Sequence, residues 1–215
     1  MNQLESRLRG GGDELKGEIV ITSLQEVSHF ITPILAKFRA AHPDVQIRYM
    51  ITERLFRLEF GEAHVAIRAG EAGQDPDNVI QPFFQMQMGL FASQTYVDRY
   101  GDGIDPDGLL SDHLFVCNAD EALPAPHYMW IRENVPPEQI VFSSTDGQTL
   151  IQAVQEGIGC GFVERGQAQD LGLVEVTLQN QDWRVPLSLV THVDLHRTPK
   201  VQAILKFLKD ACKQM

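Results

Sequence analysis

The stretch GEIVITSLQEVSHFITPILAKFRAAHPDVQIRYMI, residues 17–51, decides the fold of this chain. A short β-rich run over residues 18–21 predicts a strand, and the apolar residues that follow recur at helical spacing. They are Val27, Phe30, Ile31, Ile34, Leu35 and Phe38. After His-Pro-Asp at 42–44, residues 45–51 alternate apolar and polar side chains and predict a second strand. Strand, helix and strand in one short stretch predict a right-handed βαβ unit and therefore a parallel sheet.

The start of this helix has two candidate boundaries. Thr22-Ser23 is predicted as a turn, and Ser23 with Glu26 has the spacing of a capping box. Alternatively, Thr32 is the N-cap and Pro33 is the first helical residue. Because a proline in a helix interior costs about 3 kcal/mol, a kink or a break is expected at Pro33.

The remaining sequence continues the alternation of strand and helix patterns. Short helices are predicted at 55–60, ended by Gly61, from Ser93 to Gly101, and at 150–154, ended by Gly157. A final helix starts at Thr198-Pro199. Strands are predicted at 65–67, 79–91, 114–117, 128–131, 140–142, 158–163, 173–176 and 185–190. This order suits two α/β lobes.

Composition and charge exclude several classes of protein. The 215 residues are 43% hydrophobic and 22% charged, as in soluble globular proteins. No apolar run approaches the roughly 18 residues needed to span a bilayer, and no secretory signal is visible, so a cytoplasmic protein without membrane partners is expected. With 18 basic against 29 acidic residues, the formal net charge is −11. This chain alone is therefore not expected to bind DNA well.

Motifs that carry chemistry are few. Cys117, Cys160 and Cys212 are widely spaced without a CxxC pair, and the first two lie in apolar runs. They are interpreted as core thiols, with a redox switch as the minor alternative. His192 and His196 have four-residue spacing but lack further ligands, so no metal is expected. No P-loop, GxGxxG or Ser-His-Asp order is present, and neither a cofactor nor an enzymatic activity is predicted.

Five segments, in order along the chain, carry a resemblance to a known family. They are GEIVITS (17–23), PILAKFRAAHPDVQIRY (33–49), LEFGEAHVAIRAG (58–70), GLFASQTYVDRYG (89–101) and LIQAVQEGIGCGFV (150–163). Together they resemble the effector-binding domain of LysR-type bacterial transcription regulators. Two departures are local: His64 stands where the family usually has an acidic residue, and Val163-Glu164 stand at the usual Leu-Pro positions.

The resemblance implies an α/β fold of two Rossmann-like lobes joined by two crossover strands, as in type 2 periplasmic binding proteins. It divides the chain into a remnant of a linker helix (1–16), lobe I (17–88 with 190–215) and lobe II (89–189). It implies a homodimer or tetramer, formed by the first helix of lobe I against lobe II of a partner. It also implies DNA binding through an N-terminal winged helix-turn-helix, which this sequence does not contain. The expected function is that of a small-molecule sensor, not an enzyme.

Candidate effector contacts lie where strands end and helices begin, because ligands of open α/β lobes bind beyond the carboxyl ends of the strands. Hydroxyls and backbone N–H groups at 22–23 and 143–145 suit an anion, and Arg68 suits a carboxylate through paired hydrogen bonds. The predicted contacts, in a cleft between the lobes, are Thr22, Ser23, Leu24, Arg68, Gly70, Tyr128, Ser143, Ser144, Thr145, Phe162, Val163 and Glu164. Helix capping by Ser23, a salt bridge of Arg68 and core packing of Tyr128 and Trp130 stay open as structural alternatives.

Several functional alternatives also stay open. Glu26 would oppose an anionic effector unless it is paired, and it would instead suit a ligand that carries an amine. A stand-alone solute-binding protein of a transport system would share the fold but would need export. An enzyme on a bilobal scaffold, such as a prephenate dehydratase or a deaminase, would need a catalytic pair, and Glu164 with Ser144 is a thin basis for one.

Overall fold

The computed structural model describes residues 15–51, 56–70, 75–103, 113–176 and 183–213. Its contacts divide the chain into two compact units. Residues up to Phe84 and from Pro186 onward form the first unit, and Gln85–Val185 form the second. Both boundaries lie within long strands, β4 (Asn78–Ala92) and β9 (Trp183–His192). The predicted lobe limits, at 88/89 and 189/190, fall in these same strands, whereas nearly all of the predicted linker remnant lies outside the described residues.

The first unit is built around the predicted βαβ unit. Its elements are β1 (Gly17–Ser23), a 3-10 turn (Gln25–Val27), α1 (Ser28–Ala41), β2 (Val45–Ile51), a second 3-10 turn (Leu58–Phe60), β3 (Val65–Ala69), α6 (Val193–His196) and α7 (Pro199–Cys212). β1 pairs in parallel with β2 on one side and with β3 on the other. β9 then pairs antiparallel to β3, and β4 lies next to β9. The prediction of a parallel βαβ unit is confirmed.

The core of the first unit follows the two periodicities of its sequence. Val20 of β1 packs in one cluster with Leu58, Ala63, Ala66 and Val190, while Ile19 and Ile21 are buried on the opposite face. The final helix buries residues at helical spacing, as predicted; they are Val201, Ile204, Leu205 and Leu208. Each such side chain contributes about 1.5–3 kcal/mol when it is fully buried.

The predicted start of the first helix is wrong in three respects. Thr22 and Ser23 are not a turn but the last two residues of β1. Ser23 does not cap the helix, because α1 begins at Ser28 without a side-chain cap. The helix also continues unbroken through Pro33, and Thr32 lies inside it with its hydroxyl donating to the Ser28 carbonyl at 2.8 Å. Burial of one α1 face outweighs the lost backbone hydrogen bond at this exposed proline.

The second unit combines two small β arrangements with four helices among its described residues. Its elements are α2 (Gln94–Tyr100), β5 (Phe115–Asn118), α3 (Pro126–Asn134), β6 (Ile140–Ser144), α4 (Gly147–Gln155), β7 (Gly161–Glu164), α5 (Arg165–Asp170) and β8 (Val174–Glu175). β7 and β8 pair antiparallel with β4, and β5 pairs in parallel with β6. The predicted cap of α2 is confirmed, since the Ser93 side chain accepts from the Tyr96 N–H.

One predicted strand of this unit is a helix. Residues 128–131 lie in α3, which has Pro126 in its first turn and buries His127, Tyr128 and Ile131. These three positions follow the helical period, and proline suits the first turn because it has no N–H to leave unpaired. The consecutive apolar residues at 128–131 cannot by themselves distinguish a strand from a helix.

Glycines allow β7 and the residues before it to approach their neighbours closely. A Cβ on Gly159 would lie 2.6 Å from the Leu114 carbonyl oxygen, and one on Gly161 would lie 2.8 Å from a Val154 methyl group. Between them, the Cys160 N–H donates to the Leu114 carbonyl at 2.8 Å. The glycine-rich run is thus a buried strand segment, as the sequence predicts, although regular pairing starts only at Gly161.

Candidate functional site

The parallel strands of the first unit place their carboxyl ends at one edge of its sheet. Ser23, Ile51 and Ala69 end β1, β2 and β3. Thr22 pairs with Ala66 in the parallel register, and Leu24 follows β1 directly. The five predicted contacts of this unit therefore lie in the final residues of β1 and β3 or directly after them, where α/β lobes bind ligands.

Ser23 is already occupied by contacts within the protein. Its side chain is 2% exposed, donates to the Leu24 carbonyl at 2.9 Å and lies 2.6 Å from the Tyr49 hydroxyl. Burial raises the pKa of Tyr49, so its hydroxyl stays protonated and available as a hydrogen-bond donor. Sequence reasoning missed Tyr49, although its position near the carboxyl end of β2 was the available signal.

Thr22 and Arg68 lie on the same face of the sheet, whereas Ser23 lies on the opposite face. Residues paired in parallel strands point to the same side, and alternate residues of one strand share a face. Thr22 therefore lies with Ala66, and Ala66 with Arg68, whereas Ser23 points to the opposite side. Of the three predicted polar side chains in this unit, the structure places Thr22 and Arg68 on one face of the sheet and Ser23 on the other.

Arg68 is a half-buried cation at the end of β3. Its Nη2 donates to the Phe56 carbonyl at 3.0 Å. Burial lowers its pKa, while the nearby carboxylates of Glu59 and Asp75 act in the opposite direction. The following Gly70 has φ 74°, and its N–H donates to the Pro186 carbonyl at 2.9 Å, so that N–H is not free for a ligand. Arg68 thus keeps the charge needed for an anion, in a site where water screens it less than at the surface.

In the second unit, the predicted hydroxyl residues lie at the end of β6 and directly after it, next to a carboxylate that caps the following helix. Ser143 and Ser144 end β6, and the Thr145 side chain is exposed. Asp146 caps α4 by accepting from the N–H and hydroxyl of Thr149 at 2.7 and 2.6 Å. These hydrogen bonds lower the pKa of Asp146. An anion at this terminus would meet a fixed negative charge, which the sequence-based prediction overlooked.

The three predicted contacts at the end of β7 differ in accessibility. Val163 is 1% exposed and packs with Phe91, Ile151 and Ala168, so it is a core residue. Glu164 caps α5, where its carboxylate accepts from the Gln167 N–H at 2.9 Å. Phe162 belongs to a cluster of rings described next.

Five ring side chains form an aromatic cluster in the second unit; they are His127, Tyr128, Trp130, Phe162 and Trp183. Tyr128 and Trp130, proposed from sequence as an apolar wall or core residues, both lie in it. Tyr128 is 5% exposed, whereas both tryptophans are only partly buried. Sequence reasoning missed His127, which lies directly before the strand predicted at 128–131 and belongs to the helix α3 in the structure.

The predicted metal and redox alternatives find little support in the described part of the chain. His192 accepts from the Asp194 N–H, and His196 lies 2.9 Å from the Thr191 hydroxyl. No group of three or more candidate metal ligands occurs among these residues. Cys117 and Cys160 are buried, and burial raises both thiol pKa values, that of Cys160 to about 12. Their interpretation as core thiols is confirmed, and thiolate chemistry is disfavoured at both.

The model of the LysR substrate binding domain family matches residues 12–213. The chain belongs to this family. An HTH-type transcriptional repressor of Pseudomonas aeruginosa (strain UCBPP-PA14), PA14_22550, is 28% identical to it over 228 aligned residues. That alignment covers 98% of this chain and 68% of the repressor. The family's relatives are transcription regulators and not enzymes.

Solved structures of LysR-type regulators share the fold. The regulatory domain of CrgA from Neisseria meningitidis matches with a TM-score of 0.73 at 20% identity, over 91% of this chain and 98% of that domain. Full-length AphB, a virulence activator of Vibrio cholerae, matches with a TM-score of 0.69 at 18% identity, over 90% of this chain and 68% of AphB. The predicted mixed α/β fold of the type 2 periplasmic-binding-protein kind is confirmed. Among the described helices, none is both long and apolar enough to cross a membrane.

Proposed function

We propose that this LysR-family domain senses a small anionic effector, which binds at the carboxyl ends of its parallel strands. The observation that carries the proposal is the Arg68 guanidinium, half-buried at the end of β3 on the same sheet face as Thr22. A guanidinium in such a setting binds carboxylates through paired, charge-assisted hydrogen bonds.

The proposal includes the partners that the family implies. The domain acts within a homodimer or tetramer, and DNA is bound by a winged helix-turn-helix on the same regulator. An effector changes DNA binding only to the extent that it binds one arrangement of the regulator more tightly than the other. Kinship with transcription regulators favours this function over solute transport, which has no specific support among the relatives.

Thermal denaturation with small ligands tests the proposed anion site. The purified chain is screened against small carboxylates, aromatic acids, amino acids and amines. A ligand at 100 times its Kd adds about 2.7 kcal/mol of stability, which raises Tm by several degrees. We expect a carboxylate to produce this rise, and we expect Arg68→Ala to abolish it.

Arg48→Ala is the matched control for this screen. Arg48 lies on the neighbouring strand β2, and its exposed guanidinium pairs with Glu18 at 2.8 Å. This variant should keep the full response to the carboxylate. A rise in Tm with amines alone, or a carboxylate response that survives Arg68→Ala, would show the proposed anion site to be wrong.

A further inference from the structure

The aromatic cluster of the second unit contains a histidine whose ring nitrogens lack hydrogen-bond partners. His127 on α3 is 3% exposed, and among the described residues neither its Nδ1 nor its Nε2 has a partner. Its ring lies 4.3 Å from that of Tyr128 and 5.2 Å from that of Phe162, measured between centroids. A neutral imidazole offers one donor and one acceptor, and here both are unused.

Two indole rings extend the cluster on the side of Phe162. The Phe162 ring lies 5.1 Å from Trp183 and 6.2 Å from Trp130, at interplanar angles of 73° and 82°. The two indoles lie 5.9 Å apart at 69°. Such edge-to-face arrangements are the ones that aromatic rings prefer, so the cluster offers favourable surfaces to a further ring.

An imidazole without hydrogen-bond partners lowers the free energy of unfolding. Its packing against the rings gives no advantage over that of an apolar side chain. Buried polar groups in native proteins are nearly always hydrogen-bonded, and an exception calls for a physical explanation. An apolar side chain of similar volume at this position would pack against the same rings without leaving two polar atoms unsatisfied. A ligand that completes the hydrogen bond explains why a histidine stands here.

The surroundings of the imidazole favour a ligand without charge. Burial alone, and no charged side chain of the described residues, lowers the pKa of His127 to about 4, so the ring is neutral at physiological pH. An ion placed among these rings without a counter-charge would lose its hydration without compensation. A neutral hydroxyl or N–H group, by contrast, can donate to the free imidazole nitrogen.

We propose that the aromatic cluster binds an uncharged aromatic compound that carries a hydroxyl or N–H group, with His127 as its hydrogen-bond partner and Tyr128 and Phe162 as its ring contacts. The site includes Tyr128 and Phe162, two of the effector contacts predicted from sequence, but it does not require Arg68 to bind an anion. Because His127 has almost no exposed surface, entry requires a neighbouring side chain to turn aside.

The two tryptophans of the chain, Trp130 and Trp183, both belong to the cluster and report directly on it. Phenol is titrated into the ¹⁵N-labelled chain, and the two indole N–H signals are followed by ¹H–¹⁵N NMR. We expect saturable shifts of these signals, together with a change in the imidazole ¹⁵N shifts of His127. Toluene, which replaces the hydroxyl with a methyl group, should bind at least about tenfold more weakly than phenol. Unsaturable shifts, or equal affinity for toluene, would overturn the proposal.

Two substitutions of His127 separate the contribution of its hydrogen bond to phenol affinity from the contribution of ring packing. His127→Leu should weaken phenol binding at least about tenfold, while His127→Gln, which retains a donor and an acceptor, should lose less. His42→Leu is the control, because His42 also packs against rings, those of Phe38 and Phe207, but lies in the first unit. Unchanged phenol affinity in His127→Leu would overturn the role of the imidazole. If His127→Leu fails to fold, the comparison of phenol with toluene on the unaltered chain tests the hydrogen bond instead. Neither experiment depends on the outcome of the anion screen with Arg68→Ala.

Discussion

The buried His127 makes the free energy of unfolding depend on pH, and the direction of this dependence follows from the shift in its pKa. Burial lowers its pKa in the folded chain to about 4, whereas the unfolded chain has a histidine pKa of about 6.5. Between these values the unfolded chain binds more protons, so the free energy of unfolding falls as pH falls, by up to about 1.4 kcal/mol per pH unit. His127→Leu lacks this term, so the variant should gain stability relative to the original chain from pH 6.5 down to pH 4.

Urea denaturation of His127→Leu and of the original chain at pH 7.0, 5.5 and 4.5 measures the difference between their free energies of unfolding. A stability difference between His127→Leu and the original chain that stays constant over these pH values would show that the imidazole is solvated or hydrogen-bonded in solution.

For the candidate site, the sequence predicted the positions of residues along the chain but not the contacts of their side chains. Sequence order predicted hydroxyl residues directly after two strands, whereas the structure places Thr22, Ser23, Ser143 and Ser144 in the last residues of β1 and β6. Sequence order did not reveal that Tyr49 already contacts the Ser23 hydroxyl, or that Asp146 supplies the cap of α4. Both facts depend on side-chain geometry, and Asp146 was one residue beyond the predicted triplet of hydroxyls. The identity of the site residues stays a prediction.

At the scale of elements, the close approach of β5 to the glycine-rich run gives a second test. Gly159→Ala would place a Cβ 2.6 Å from the Leu114 carbonyl oxygen, which belongs to the backbone and cannot move alone. We expect a loss of about 1–3 kcal/mol or more, as for other overpacked cores. Gly103→Ala is the matched control, because no atom of the described residues lies within 4 Å of its added Cβ.

Chemical denaturation of the two variants provides the measurement. Gly103→Ala should stay within about 0.5 kcal/mol of the original chain, as is usual for exposed positions. An equally small effect of Gly159→Ala would mean that β5 and the glycine-rich run lie further apart in solution than the structure shows.

Elements with strong periodicity were predicted well, and weakly patterned ones were not. The strand β1 is a short β-rich run, β2 alternates apolar and polar residues, and the buried face of α7 follows helical spacing. The helix α3 was predicted as a strand because its apolar residues are consecutive, so that spacing cannot distinguish the two structures. In α1, local proline chemistry predicted a break, but the burial of one face of that helix outweighed it.

At the scale of the whole molecule, charge predicts weak affinity for DNA. The net charge of −11 repels the phosphate backbone. In fluorescence anisotropy at about 150 mM salt, we expect the chain to bind a DNA duplex with a Kd weaker than about 100 µM, the weak end of nonspecific binding. Placing a winged helix-turn-helix before residue 1 should restore binding.

A tighter and salt-dependent Kd for the chain alone would point to a local basic surface that the net charge conceals. The exposed Lys206 on α7 and Lys213 directly after it are the residues to change first, each to Glu. Loss of binding in those variants would place the DNA contact on α7 and would contradict a regulator that contacts DNA only through its helix-turn-helix.

The sequence by itself determined the family, the α/β class and the acidic character of this chain. It did so because charge is a sum over residues, and because periodicity and short motifs are local patterns that need no knowledge of distant contacts. Tertiary structure alone decided that β9 lies beside β3, that Thr22 and Arg68 share a face without Ser23, and that His127 meets the rings of Phe162 and its neighbours. These contacts join residues far apart in the sequence, so strand register and side-chain packing select them, and no local pattern records the choice.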